Sequence, residues 1–285
     1  MRALAEFVMR GRAQAIAVAA LAVSSQLLAI IGVAVVALVT LRRGAKDGLI
    51  VMAWAQLPAL LFAVLYADIS SVMVLIGVTL AALILRATQS WPQALLMAVG
   101  VGVIAALLFS TVAGSYVVQW MASANQVFAE LNRHGQQGGG QLPQLSALMV
   151  SGALGWGACS YVVLSLLLAR WWQAMLYNPG GFRSEFHQLR LPPAMALGLL
   201  AAVVGVGSIG GDYAFWAMIF TVPLALAGLA LVHGVVGSRR LGRGVLIAVY
   251  LALLLIGWLK FALLVLALID SFVNFRARIT PRASD

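Results

Sequence analysis

Apolar residues fall in long uninterrupted runs at residues 13–41, 49–66, 69–85, 92–115, 145–169, 193–209, 213–236 and 245–269. Most are close to the roughly 20 residues that cross a hydrocarbon core as a helix. Barrel strands would alternate over about ten residues, so the runs predict an all-α, polytopic transmembrane helix bundle. The first run is longer than one crossing needs. At about 1.5 Å per residue it would reach some 43 Å as a single helix, against a core of about 30 Å. It either tilts strongly or breaks at the polar triplet Ser24-Ser25-Gln26.

Two stretches are amphipathic instead. Residues 116–133 interleave Trp120, Val127, Phe128 and Leu131 with Gln119, Asn125 and Glu130, which predicts a surface helix. Past the turn Asn178-Pro179-Gly180-Gly181, Phe182, Phe186 and Leu189 recur at helical spacing among Arg183, Glu185, His187 and Arg190. This reads as an interfacial elbow, with rings at headgroup level and guanidinium groups toward phosphate.

Charge orients the bundle. Arg42, Arg43, Lys46, Arg86, Arg170, Arg183, Arg190, Arg239, Arg240 and Arg243 follow alternate runs, ten basic residues in all, whereas the intervening loops hold one, Arg133. Basic residues collect on the cytoplasmic side, so the first set of loops faces inward. With Arg2, Arg10 and Arg12 also inside, the first run must cross twice as a hairpin. The expected count is eight or nine spans. The last run is discordant, since a single crossing would carry Arg276, Arg278 and Arg282 outward.

Composition agrees, for 63% of the 285 residues are hydrophobic and 9% charged, far from a soluble domain. The net charge of +10 marks helix ends and not one basic face, which argues against nucleic acid. Cys159 lies alone within a run, so neither a disulfide framework nor a cysteine metal site is expected. The chain reads as one integral domain: residues 1–133 a first helical half, 134–142 a Gly/Gln-rich linker and 143–285 a second half.

Chemical motifs are sparse. The string Gly205 to Gly210 fits G-x-G-x-x-G but lacks the strand and acidic residue of a dinucleotide site, so it reads as a tight helix exit. Ser151 with Gly155, and Ala98 with Gly102, have the small-xxx-small spacing of close helix packing. Ser151 or Ser160 with His233 lacks a nucleophile elbow, and His134, His187 and His233 are expected at different depths, so neither a hydrolase nor a metal centre is predicted. No enzyme activity and no cofactor is expected. Candidate pocket residues are Gln26, Trp54, Gln56, Trp156, Ser160 and Lys260, with Tyr161 beside them; Lys260 either snorkels or faces the bundle as a counter-charge.

Three stretches carry a resemblance: Leu41-Arg42-Arg43-Gly44-Ala45-Lys46-Asp47-Gly48-Leu49, the 178–182 elbow continuing to Leu191-Pro192, and Leu268-Ile269-Asp270-Ser271-Phe272-Val273-Asn274-Phe275-Arg276. Together they resemble the YybS-like family of bacterial predicted membrane proteins, a domain of unknown function. The first half is also similar to the substrate-capture (S) components of energy-coupling factor transporters. That likeness implies an inward N-terminus, a doubly crossing first run and a small-molecule pocket opening outward. The resulting expectation is a small-solute binding or uptake subunit of a bacterial cytoplasmic (inner) membrane; the alternative is a scaffold that binds no solute. Besides the lipid bilayer, a protein partner is expected at Arg42, Arg43 and Lys46, or on the elbow at Trp171, Trp172, Phe182, Arg183 and Phe186.

Overall fold

The computed structural model describes residues 1–25, 27–134, 144–239 and 241–276. Every regular element among the described residues is helical. The first apolar run breaks where its polar triplet predicts. After α1 (Arg2–Arg10) come α2 (Arg12–Val23), a turn, and α3 (Ala29–Arg43). Ser24 turns its hydroxyl back onto the Ala20 carbonyl at 2.9 Å, which also accepts the Ser24 amide at 3.1 Å, so the polar side chain is bonded within its own turn. The two helices are antiparallel: Gly32, near the start of α3, faces Ala19 and Val23, near the end of α2. A Cβ at Gly32 would stand 2.8 Å from the Ala19 oxygen, so glycine sets how closely they approach. α3 is buried at every position from Gly32 to Leu41 and forms the middle of the bundle.

The Arg42 to Gly48 stretch, expected as a loop, contracts to a single pivot. α3 ends at Arg43, Gly44 turns the chain at φ +101°, and α4 (Ala45–Tyr66) begins at once. That left-handed conformation suits glycine. α5 (Ser70–Thr88) and α6 (Trp91–Thr111) follow, then the amphipathic α7 (Gly114–His134). The long α8 (Ala147–Tyr177) packs on α3, α5 and α6, so the two halves of the sequence share one core. Residues 135–143, most of the expected linker, lie outside the described residues.

The most extensive helix–helix contact falls between α6 and α8. A Cβ on Gly155 would be 2.5 Å from the Gly102 oxygen, and one on Gly102 would be 2.9 Å from the Gly155 oxygen. Each backbone occupies the space a side chain would need, which is how small residues let membrane helices associate.

The elbow forms at residues 178–180, and α9 (Gly181–Gln188) leaves the axis of the following α10 (Pro193–Gly207) by 67°. α9 therefore crosses the end of the bundle. α10 runs out at Gly207, in the glycine-rich string. A single 3₁₀ turn, Gly211–Tyr213, leads into α11 (Ala214–Ser238).

The last apolar run is corrected by the structure. It is not one helix but α12 (Arg243–Leu255) and α13 (Leu259–Val273), bent by 119° about Ile256 to Trp258. α13 returns toward the end from which α12 started. Arg190, just after α9, donates to the Asp270 and Ser271 carbonyls at 2.9 and 2.6 Å, so Asp270 and Arg276 lie with the other arginines. The discordance is thereby removed for Arg276; Arg278 and Arg282 lie outside the described residues.

α4, α5, α6, α8 and α11 with its leading turn are long and apolar enough to cross a membrane, and the two bent pairs raise the five to seven if each is one span. The count of eight or nine treated every run as a crossing. α2 and α3, with 12 and 15 residues, reach only about 18 and 22 Å, short of a core of about 30 Å.

Candidate ligand pocket and the arginine-rich end

The two ends of the bundle differ in chemistry. At one, Arg12 pairs with Asp47 at 2.6 Å, Arg43 donates to the Met9 carbonyl at 2.6 Å, and Arg86 donates to the Leu41 carbonyl at 2.5 Å. Arg42 lies 4.0 Å above the Tyr177 ring, and Arg170 forms a bidentate pair with Glu185. At the other end, apart from the Arg133–Glu130 pair of α7, the contacts described are uncharged or acidic. Asn125 of α7 exchanges hydrogen bonds with the backbone of Leu145, Ser146 donates to Asp212 at 2.9 Å, and Trp216 donates to the Leu148 carbonyl at 2.9 Å.

A cavity of about 280 Å³ opens on this second end. Its walls are apolar, from Val23, Ala29, Val33, Phe62 and Leu154, and its polar groups are Asp68, Ser70, Ser71, Tyr116, Trp120 and Tyr161. The α2–α3 turn supplies one wall, the α4–α5 connection the carboxylate, and α7 folds over it with its rings. Asp68 accepts from the Ser70 amide at 2.9 Å, and Trp120 Nε1 donates to the Tyr116 hydroxyl at 3.2 Å. Burial, and then the nearby Asp68 carboxylate, push the Tyr116 phenol above its ordinary pKa. The phenol therefore stays protonated, able to donate as well as accept. Such a site suits a small ligand with an apolar body and one hydrogen-bond-donating or cationic group.

Of the sequence candidates among the described residues, Tyr161 alone lines this cavity. Gln26 lies outside the described residues. Trp54 is exposed on the perimeter of α4, whereas Gln56 faces α5, donates to the Val72 carbonyl at 3.3 Å and leaves its buried oxygen without a partner. Trp156 and Ser160 are half-buried on α8 and do not line the cavity. Lys260 is exposed at the second position of α13, beside the bend, and does not face the bundle. The break at residues 256–258 moves it from mid-helix to a helix start.

The docking candidates divide as well. Arg42, Lys46, Trp171 and Arg183 remain exposed, Phe182 and Phe186 stack at 5.9 Å and are half-buried, and Arg43 is engaged by Met9 and Asp47. Trp172 is fully buried and offers nothing to a partner. Adjacent positions on a helix point about 100° apart, so one indole of the pair turns into the core.

A second correction concerns histidine. His187 and His233, expected at different depths, line the same two cavities beside the end of α11, because the elbow folds α9 back onto it. No group of three metal-binding side chains occurs among the described residues. Ser151 bonds to the Ala147 carbonyl and sits near the Trp216 end of α11, 17 residues and so about 25 Å from His233, which precludes a Ser151–His233 pair.

Sequence reasoning missed Asp68, Tyr116 and Trp120. The only signal was their polarity at the edges of apolar runs. Fold and faces together define an all-helical protein whose apolar helices are consistent with residence in a membrane. No family model, curated protein or solved structure matches the chain.

Proposed function

We propose that the protein is a small-solute-binding subunit of a bacterial cytoplasmic membrane, with the arginine-rich end inside and the pocket opening outward. The observation that carries this reading is the amphipathic cavity at Asp68, Tyr116, Trp120 and Tyr161, closed on one side by the α2–α3 hairpin. Its place at the end opposite the arginines accords with the resemblance of the first half to substrate-capture components. A partner that supplies energy would meet the inner end at Arg42, Lys46 and Trp171, whose side chains are exposed.

The expected solute is a small amphiphile that donates to Asp68 and stacks on the rings. A metabolite thermal-shift screen of the detergent-purified protein should yield a stabilising compound. Asp68→Asn should weaken its binding by about tenfold, the worth of one charge-assisted hydrogen bond. A screen with no stabilising compound overturns the reading and favours the alternative, a scaffold. That alternative draws on α12, none of whose residues is buried and which therefore presents an open face to neighbours.

Orientation has its own test. In a Cys159→Ala background, cysteine at Arg133 should react with a membrane-impermeant maleimide added to whole cells, and cysteine at Lys46 only after lysis. The opposite pattern inverts the protein.

A further inference from the structure

At the arginine-rich end, remote from the pocket, three elements converge on a groove along α11. Gly234 and Gly237 stand three residues apart there, and the missing side chains let α9 and the α13 end approach. A Cβ on Gly237 would lie 2.6 Å from His187 Cε1 and 3.4 Å from an Arg183 terminal nitrogen, and one on Gly234 would lie 3.8 Å from Arg276 Nε. The two guanidinium groups thus flank the His187 imidazole, Arg276 on one side and Arg183 on the other. Cavities of about 260, 600 and 460 Å³ all touch His187, and the last two share Arg183 and His233 as well.

Nearby carboxylates are already committed. Glu185 of the same helix is held by Arg170, and Asp270 by Arg276 at 2.8 Å. Among the described residues no carboxylate lies within ion-pair distance of Arg183 or His187. His233 closes the wall, with Nδ1 at 2.9 Å from the Leu229 carbonyl, Nε2 at 3.2 Å from the Tyr250 hydroxyl and its ring edge-on to Phe186. Burial, then repulsion from Arg183, His233 and Arg276, hold His187 below its ordinary pKa. A bound anion relieves that repulsion. On one flank the groove continues over the rings of Phe182 and Phe186, a surface for an apolar chain.

We propose that this groove binds the phosphate of an anionic amphiphile, with the phosphate between Arg183 and His187 and the apolar part along Phe182 and Phe186. A guanidinium matches phosphate oxygens in a bidentate fork, and the imidazole adds a donor from a second direction. The phosphate could come from a lipid headgroup or from a soluble phosphate ester, and the test separates the two.

Binding to the detergent-solubilised protein is measured by titration with dihexanoyl-phosphatidylglycerol, dihexanoyl-phosphatidylcholine and glycerol 3-phosphate. The anionic lipid should bind about tenfold more tightly than the zwitterionic one, and Arg183→Gln and His187→Asn should each remove most of that preference. Arg10→Gln, which removes a charge from the same end away from the groove, should retain it. Competition by glycerol 3-phosphate assigns the site to soluble esters, and its failure to compete assigns it to lipid. Equal binding of the two lipids with no binding of glycerol 3-phosphate overturns the proposal. So does an unchanged preference in both groove variants, each folded as judged by its melting temperature, or an equal loss in Arg10→Gln.

Discussion

Gly155→Ala should destabilise the protein markedly, and Gly155→Leu should leave little that survives detergent extraction as a monodisperse species. The added Cβ would meet the Gly102 oxygen at 2.5 Å and the Ala106 Cβ at 2.6 Å, and the first of these belongs to backbone that cannot rotate away. α6 and α8 must then separate, loosening the contact between the two halves of the chain. Overpacking of this kind costs about 1–3 kcal/mol, and each kcal/mol lowers Tm by about 2–4 °C in a protein of 150–250 residues. Gly157→Ala is the matched comparison. It lies on the same helix with open space where its Cβ would stand, and alanine favours the helix by up to about 1 kcal/mol. Equal melting temperatures for the two alanine variants would refute the packing argument.

Asp270→Asn should have the second large effect. The carboxylate is nearly buried and accepts from the Phe275 amide at 3.0 Å and from Arg276 at 2.8 Å, while Arg190 holds the backbone carbonyls of Asp270 and Ser271. Replacing the carboxylate removes the charged acceptor that these two donors share, at a cost of about 1.5–3 kcal/mol. Arg276→Gln should cost less when added to Asp270→Asn than it does alone, because the bond the two side chains share is then already lost. Thermal melts of the single and double variants measure this coupling. An additive double variant would mean that the pair does not act as one unit.

The fold was legible wherever a local signal set it. The Ser24-Ser25-Gln26 triplet marks the turn after α2, and Asn178-Pro179-Gly180-Gly181 marks the elbow, because such residues satisfy backbone groups outside a helix. The bend between α12 and α13 was not legible in hydropathy. Ile256, Gly257 and Trp258 are as apolar as their neighbours, and Gly257 within a run is an ordinary feature of a membrane helix. The discordant charge of the tail was the one hint, and it gave no position for the bend. The pocket was invisible for a different reason. Asp68, Tyr116 and Tyr161 lie tens of residues apart, and only the folding of α7 over the end of the hairpin brings them together. Lys260 drew notice as a charge inside a run, yet it stands beside the bend and outside the bundle interior. Asp270 and Lys260 stand ten residues apart along the chain, whereas the ion-pair partner of Asp270 follows it, beyond the left-handed Asn274 that turns the chain back.

α3 also constrains how the molecule is made. Its flanks are covered by α2, α4, α5 and α8, but roughly a hundred residues separate its end from the start of α8. At synthesis rates of about 5–20 residues per second, the nascent chain carries α3 for some 5–20 s before its last neighbour emerges. In that interval lipid or an insertase must shelter the uncovered side. A ribosome that stalls before Ala147 would therefore leave a half-dressed hairpin, the kind of intermediate that membrane proteases remove.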